Sequence, residues 1–426
     1  MSLHIHNARL LDPASDLDAT GGIIIEDEVI ADIGAHLAAV SGASNTIDAK
    51  GLCLAPGLID LRVKTGEPGE EHRETLASAS KAAVSGGITS MVVMPDTTPV
   101  IDDVALVQFI SNQAHATAVN KIYPAGALTT GLKGESMAEM GMMAEAGAVL
   151  FTNGDHPIER ADIQKRVMAY AAGHDVLISS RPDERELSKS GVMTSGALAL
   201  QKGLKGMARE AELIGLQRDV ALANATGARL LVDNVSTKAS LETIAHAKAA
   251  GVKVRASVAA YSLFFIESDV GDYLTYCKVN PPFRSETDRE ALLKALRSDL
   301  IDAVTSSHDP QPPENKRLPF AEASFGAAGL ETLLSTLLML VNADQISLLQ
   351  ALRPLTTGPA EILGLPQGQL AKGAPADLIL FDPSTPWFCE RENLISRSTN
   401  SPFDGRDLVG RVEQTFVDGE LVFERR

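Results

Sequence analysis

The sequence predicts an α/β fold: a (β/α)8 TIM barrel with a small composite β-sandwich domain formed by both termini. Three observations predict it. Through the middle of the chain, short apolar strand patterns alternate with helical patterns, which implies a parallel sheet flanked by helices. Eight such repeats suit a closed barrel better than an open sheet. Both chain ends read instead as short strands, so residues 1–55 and 366–426 are expected to form one β domain beside a barrel at 56–365.

At the N-terminus, residues 4–10 alternate in polarity, and apolar runs at 22–25 and 29–33 flank a turn at Glu26-Asp27-Glu28. Barrel strands are expected at 58–63, 88–94, 121–125, 148–152, 176–180, 229–235, 252–257 and 302–306. Helical patterns fall between them, among others at 71–85, 104–118, 208–225, 239–250 and 287–297. The C-terminal end returns to strands at 376–381, 414–417 and 421–424, the last two joined by Asp418-Gly419, a strong hairpin signal. Long segments at 181–206, 259–285 and 308–328 follow strands and so belong to the face where barrel enzymes keep their sites. No Gly-x-Gly-x-x-Gly follows the first barrel strand, which gives a dinucleotide fold little support.

The 426 residues suffice for one large and one small domain without staples, and the composition, 45% hydrophobic and 22% charged, is that of a soluble globular protein. A net charge of −17, with no Lys/Arg run, argues against nucleic-acid and anionic-membrane partners. Cys53, Cys277 and Cys389 are far apart and odd in number, which points to a reducing compartment and a cytoplasmic location. The N-terminal residues lack a basic segment and a long apolar core, and no apolar run approaches the ~18 residues needed to span a bilayer.

In a barrel of this kind chemistry sits at the carboxyl ends of the strands. Read in order, those ends carry Arg62 and Lys64, then Asp96, Asn153, Ser180, Asn234 and Ser307. A hydrolytic zinc site needs several histidine or carboxylate ligands and an open position for water. Asparagine and serine oxygens are poor zinc ligands, and two cations repel the ion.

The chain resembles the dihydroorotase branch of the amidohydrolase superfamily over essentially its whole length. The resemblance is carried by PGLIDLRV (56–63), EPGEEHRETL (67–76), AAVSGGITSMVVMPDTTPVID (82–102), VNPPFRSETDREALLKAL (279–296), GLETLLSTLL (329–338), GAPADLILFDPSTPW (373–387) and NSPFDGRDLVGRV (400–412). It implies a barrel with a small β-sandwich from both termini. It also implies that the family's first two metal-binding histidines correspond to Arg62 and Lys64, and its bridging aspartate to Asn153. The histidines of strands five and six correspond to Ser180 and Asn234. The strand-eight aspartate, which also serves as general acid/base, corresponds to Ser307. The family's substrate contacts correspond to Gly66, Asp96 and Gln311. All six metal positions and all three substrate positions have therefore changed. The resemblance thus implies no intact catalytic or substrate residue and no metal cofactor, zinc being expected only if the site has been rebuilt. Asp96 would also set a negative charge where an anionic substrate should dock.

Other groups could have replaced the lost site. His156 and His308 are the two histidines near the catalytic face, and with Asp155 and Asp309 they could converge from separate loops. His4 and His6 read as packing or surface residues, and His115, His174 and His246 as helix residues. Cys277 has no identifiable activating neighbour, and Ser307-His308 lacks an orienting acid. Arg62, Lys64 and Arg181 could form an anion-binding mouth, or could pair with Glu67 and Asp96 and fill the cavity; filling is the preferred reading. Glu331 reads as a structural carboxylate at a helix start.

Two functions follow. The first is a non-catalytic dihydroorotase-like protein of pyrimidine biosynthesis; the resemblance implies aspartate carbamoyltransferase as its partner, and a homo-oligomer is expected. The second is an active dihydroorotase or other cyclic-amide hydrolase with a rebuilt or metal-free site.

Overall fold

Strand order rather than strand content fixes this architecture. The computed structural model describes residues 2–39 and 45–425; of the terminal-domain ranges expected from sequence, residues 1, 40–44 and 426 lie outside that description. The terminal strands are β1 (Leu3–Asp12), β2 (Leu17–Glu26), β3 (Val29–Gly34), β4 (Thr46–Asp48) and β5 (Cys53–Pro56). The barrel follows with β6 (Leu58–Val63), β7 (Ile88–Val93), β8 (Lys121–Ala127), β9 (Leu150–Thr152) and β10 (Leu177–Ser180). A two-stranded ladder, β11 (Met193–Thr194) with β12 (Gly206–Met207), sits in the long segment after β10. Then come the barrel strands β13 (Arg229–Val232), β14 (Val254–Ala259) and β15 (Ala303–Thr305). The chain ends with β16 (Leu378–Cys389), β17 (Arg406–Val417) and β18 (Glu420–Glu424).

The eight barrel strands are hydrogen-bonded in the order β15-β14-β13-β10-β9-β8-β7-β6, all parallel. Val63 bridges His308, and the Lys64 N–H donates to the His308 carbonyl at 2.8 Å, which closes the ring just beyond the ends of β6 and β15. Every residue of β6 and β7 is buried. A parallel barrel strand has side chains on both faces in contact with protein, so its sequence is continuously apolar rather than alternating. Ile59, Leu61, Val92, Ala125, Leu150, Leu177, Leu231 and Ala303 share one cluster, contributed by strands all round the barrel.

The terminal strands form a second sheet, β18-β17-β16-β5-β1-β2-β3, with β4 added on β1. Its seam joins the two chain ends: β16 pairs antiparallel with β5 from Leu378 opposite Pro56 to Phe381 opposite Cys53. Ile5, Leu10, Ile23, Leu54, Leu378 and Phe416 pack from both halves into one core, as expected of a composite β domain. Gly57 is the single residue between β5 and β6. A Cβ there would lie 2.1 Å from Thr89 Oγ1, so only glycine allows the chain to pass from one sheet to the other.

Strand positions agree with the sequence reading to within a few residues. The strand expected at 229–235 ends at Val232 because Asn234 takes a left-handed conformation, φ 51°. The helix expected at 71–85 begins only at Leu76; it is α1 (Leu76–Ser85). Thr75 caps it by accepting from the Ser78 N–H, while Ser78 Oγ accepts from the Thr75 N–H. The residues before the cap are held elsewhere: buried Glu74 accepts hydrogen bonds from Ser396 Oγ and the Arg397 N–H, on the C-terminal part of the chain.

Candidate functional site at the barrel mouth

Arg62 lies at the inner end of β6, 3% exposed, and its guanidinium reaches two carboxylates. Nη1 donates to Asp233 Oδ2 in a short charged contact, and Nη2 donates to Asp155 Oδ1 at 3.0 Å. Lys64, two residues on, places Nζ among three carboxylates: Asp155 at 2.5 Å, Asp96 at 2.8 Å and Asp309 at 3.3 Å. Arg181, after β10, sets Nε 2.8 Å from Asp155 Oδ1 and donates from Nη1 to Asn280 Oδ1 at 3.1 Å. Arg73 donates to Asp309 Oδ1 at 2.7 Å. Four cations thus face Asp96, Asp155, Asp233 and Asp309, each touching at least one of them.

The electrostatics follow from this packing. Burial alone would favour neutral forms of Arg62 and Lys64. For Arg62 the carboxylates of Asp233, Asp155 and Asp96 outweigh burial; for Lys64 those of Asp155, Asp309 and Asp96 do, and both pKa values rise. Burial works against the Asp155 carboxylate too, but Lys64, Arg62 and Arg181 overcome it and hold its pKa well below the ordinary carboxylate value. The interior of the mouth is a set of mutual ion pairs, each charge made tolerable by its neighbours.

The remaining strand ends carry uncharged side chains, each hydrogen-bonded to protein. Asn153 Oδ1 accepts from the Thr129 N–H at 3.1 Å, and its Nδ2 donates to Thr129 Oγ1 at 2.8 Å. Ser180 Oγ donates to Asp219 at 2.6 Å. Asn234 Nδ2 donates to Ser307 Oγ at 2.8 Å, and Tyr261 Oη donates to the same oxygen at 3.2 Å. Asn234 and Ser307 both have positive φ, 51° and 48°. For residues other than glycine such backbone costs about 1–3 kcal/mol each and clusters at functional sites. Of the three positions that the family resemblance matches to substrate contacts, Gly66 offers no side chain, Asp96 is held by Lys64, and Gln311 donates to Asp309 at 2.9 Å.

These residues do not fit a metal ion. The acids that could ligate one surround an ammonium group already, and a guanidinium fills the adjoining space. Among the described residues no group of three His, Cys, Asp or Glu side chains is arranged to hold a metal.

Several sequence expectations need correction. Glu67 does not pair with the cations; its carboxylate accepts from the Leu76 N–H at 2.8 Å. Asp155 and Asp233 take that role with Asp96, and a pair separated by 171 residues, Arg62 with Asp233, leaves no local sequence signal. Of the four residues proposed to converge, Asp155 and Asp309 meet on Lys64, while the histidines do not join them. His156 is exposed. His308 is buried, accepting at Nδ1 from the Gly329 N–H at 3.2 Å, with Nε2 facing Glu74 at 3.7 Å. Ser307 and His308 therefore form no nucleophile–base pair. Asp96 is neutralised by Lys64, so its charge alone does not repel an anion. Burial pushes the Cys277 thiol up to about 11, which suits a structural cysteine. Glu331 is structural, but it binds the N–H groups of Ile395 and Ser396 rather than its own helix.

Asp60, buried under the mouth, accepts from the backbone N–H groups of Arg62 and Ser306. Burial nevertheless raises its carboxyl to about 6. A carboxyl whose pKa is raised on folding contributes stability below its unfolded value of 3.8 and loses it as pH rises through about 6. Asp60→Asn is expected to flatten the fall in stability between those two pH values. Urea midpoints measured across the window check this, and a slope equal to that of the parent would refute it.

The relatives share this frame from end to end. A dihydroorotase from Syntrophotalea carbinolica is 40% identical over 423 residues, 99% of each chain, and one from Citrifermentans bemidjiense is 39% identical over the whole of both. This chain belongs to the dihydroorotase family. The Dihydro-orotase-like family profile matches residues 51–240 of this dihydroorotase-family chain, and the Amidohydrolase family profile matches 330–423. Among solved structures, the L-hydantoinase (dihydropyrimidinase) from Arthrobacter aurescens superposes with a TM-score of 0.89 at 27% identity, covering 99% of this chain and 96% of that one. A D-hydantoinase matches with a TM-score of 0.86 at 22% identity, a likeness of fold. No helix among the described residues is long and apolar enough to cross a membrane.

Proposed function

We propose that this dihydroorotase-family chain is a non-catalytic protein of cytoplasmic pyrimidine biosynthesis, a structural partner that supports assembly of aspartate carbamoyltransferase and is itself a homo-oligomer. One observation carries the reading: Lys64 Nζ lies within 3.3 Å of three aspartates, at the place where the family resemblance puts a metal ligand. A protein cation there satisfies the acids from within and leaves no water to activate. Six altered metal positions and three altered substrate positions point the same way. A barrel without chemistry still offers a rigid surface to another subunit, since subunit contacts depend on packing and not on zinc.

A second reading is an active cyclic-amide hydrolase with a rebuilt site. It is favoured by relatives named dihydroorotase that align over the full chain at about 40% identity. Metal analysis and dihydroorotate turnover on the purified protein separate the two. The first reading expects less than about a tenth of an equivalent of zinc and no ring opening above the uncatalysed rate. Stoichiometric zinc with measurable turnover establishes the second. For the partner, co-expression with the transcarbamoylase and size-exclusion chromatography are expected to give one co-eluting species; two separate peaks at micromolar concentration refute that part.

A further inference from the structure

The path of the terminal-domain sheet runs from β18 to β3, and among the described residues these two end strands are covered unequally. At β3 the Ile30 N–H donates to the Ala374 carbonyl at 2.9 Å and the Gly373 N–H donates to the Ile30 carbonyl at 2.8 Å, so another segment closes that edge. At the opposite edge β18 pairs with β17 alone. Among the described residues, no other backbone segment bonds to Glu420–Glu424. An uncovered edge is a template for another strand, and folded proteins usually block it.

A groove of about 670 Å³ runs beside this edge. One wall is α2 (Val104–Thr117) and the other is the β17–β18 hairpin, with Glu420 and Val422 of β18 lining it. Its lining includes apolar side chains, among them Val422 and Val119, the latter 38% exposed. Its charge is acidic, from Glu28 and Glu420, with Asp418 paired to Lys121. The cation in its lining, Lys121, is already held by Asp377 at 2.9 Å and Asp418 at 2.6 Å.

These features select the occupant. A second copy of the chain is disfavoured, because two-fold antiparallel pairing centred on Val422 sets Glu420 opposite Glu424, and like charges directly opposite destabilise a strand pair. A strand with Lys or Arg alternating with apolar residues meets both requirements: its backbone completes the edge, and its cations meet the groove acids. We propose that β18 and its groove dock an extended basic segment of a partner protein by strand addition. Docking at this edge is independent of any chemistry at the barrel mouth.

The test uses the intact protein and two labelled heptapeptides, Thr-Lys-Val-Lys-Val-Lys-Thr and its counterpart with glutamate in place of lysine. Fluorescence anisotropy at low salt is expected to show the basic peptide binding at least about tenfold more tightly than the acidic one. Backbone hydrogen exchange at residues 420–424 is expected to slow when the basic peptide is bound. The double variant Glu420→Lys, Glu424→Lys is expected to reverse the preference. Equal affinities overturn the proposal. So does binding that leaves 420–424 unprotected, the sign of diffuse attraction to an acidic protein. A concentration-dependent dimer protecting the same amides overturns it in favour of a second copy. The exchange measurement needs no variant, so it decides even if the double substitution fails to fold.

Discussion

Asp155→Ala is expected to lower the free energy of unfolding by about 3–5 kcal/mol, the loss typical of breaking a buried ion pair from one side. The aspartate is bound by Arg62 at 3.0 Å, Lys64 at 2.5 Å and Arg181 at 2.8 Å. The side chains of these cations are 4%, 14% and 7% exposed, so water cannot replace the lost partner. The deficit is expected to be constant from pH 5 to pH 8. Asp155 has a pKa depressed on folding, so its stabilisation is complete above the unfolded value of 3.8 and is lost only as pH falls through the folded value, well below that. Urea unfolding of parent and variant at several pH values gives the difference directly. A loss under about 1 kcal/mol would show that the three cations are satisfied without Asp155.

Arg62→Met should cost a similar amount, about 3–5 kcal/mol, because it strands the Asp233 carboxylate, whose side chain is 5% exposed. The informative measurement is the double variant. Asp233 keeps only its contact from Ser257 Oγ at 3.1 Å once the guanidinium is gone. Replacing it as well, by Asn, removes the unpaired charge while keeping an acceptor for that hydroxyl. Arg62→Met with Asp233→Asn is therefore expected to recover more than half of the single loss, a coupling of about 1.5–3 kcal/mol in a double-mutant cycle. Strictly additive losses would mean that the two residues are held independently.

The ion-pair mouth also explains which parts of this protein could be read without coordinates. Positions 62 and 64 lie at the end of a strongly apolar strand with a fixed place in the barrel, so the local pattern places two cations at its mouth, and the family resemblance implies that they stand where metal-binding histidines would be. Asn153, Ser180, Asn234 and Ser307 were legible for the same reason: each ends or follows a strand that periodicity had located. The partners of the cations were not legible. Glu67 is close to Arg62 and Lys64 in sequence, yet it turns to the start of α1 and accepts from the Leu76 N–H. Asp155 and Asp233, 93 and 171 residues from Arg62, reach it only because parallel strands bring their carboxyl ends to one rim. His308 is not legible for the converse reason: its place near the catalytic face makes it a candidate to converge with His156, Asp155 and Asp309, but it is buried against the Gly329 N–H and Glu74 instead.

By itself the sequence determined the alternation of strand and helix, the return of the C-terminus to strands, and the identity of the groups at the barrel mouth. These depend on hydrophobic period and turn chemistry, which act over a few residues. Only the tertiary structure decided that the mouth is closed by mutual charge pairing, that β5 and β16 seam the two chain ends together, and that β18 remains an open edge. Each of these is a contact between segments far apart along the chain. Such contacts are set by the closure of the barrel and the packing of its core, which no local pattern encodes.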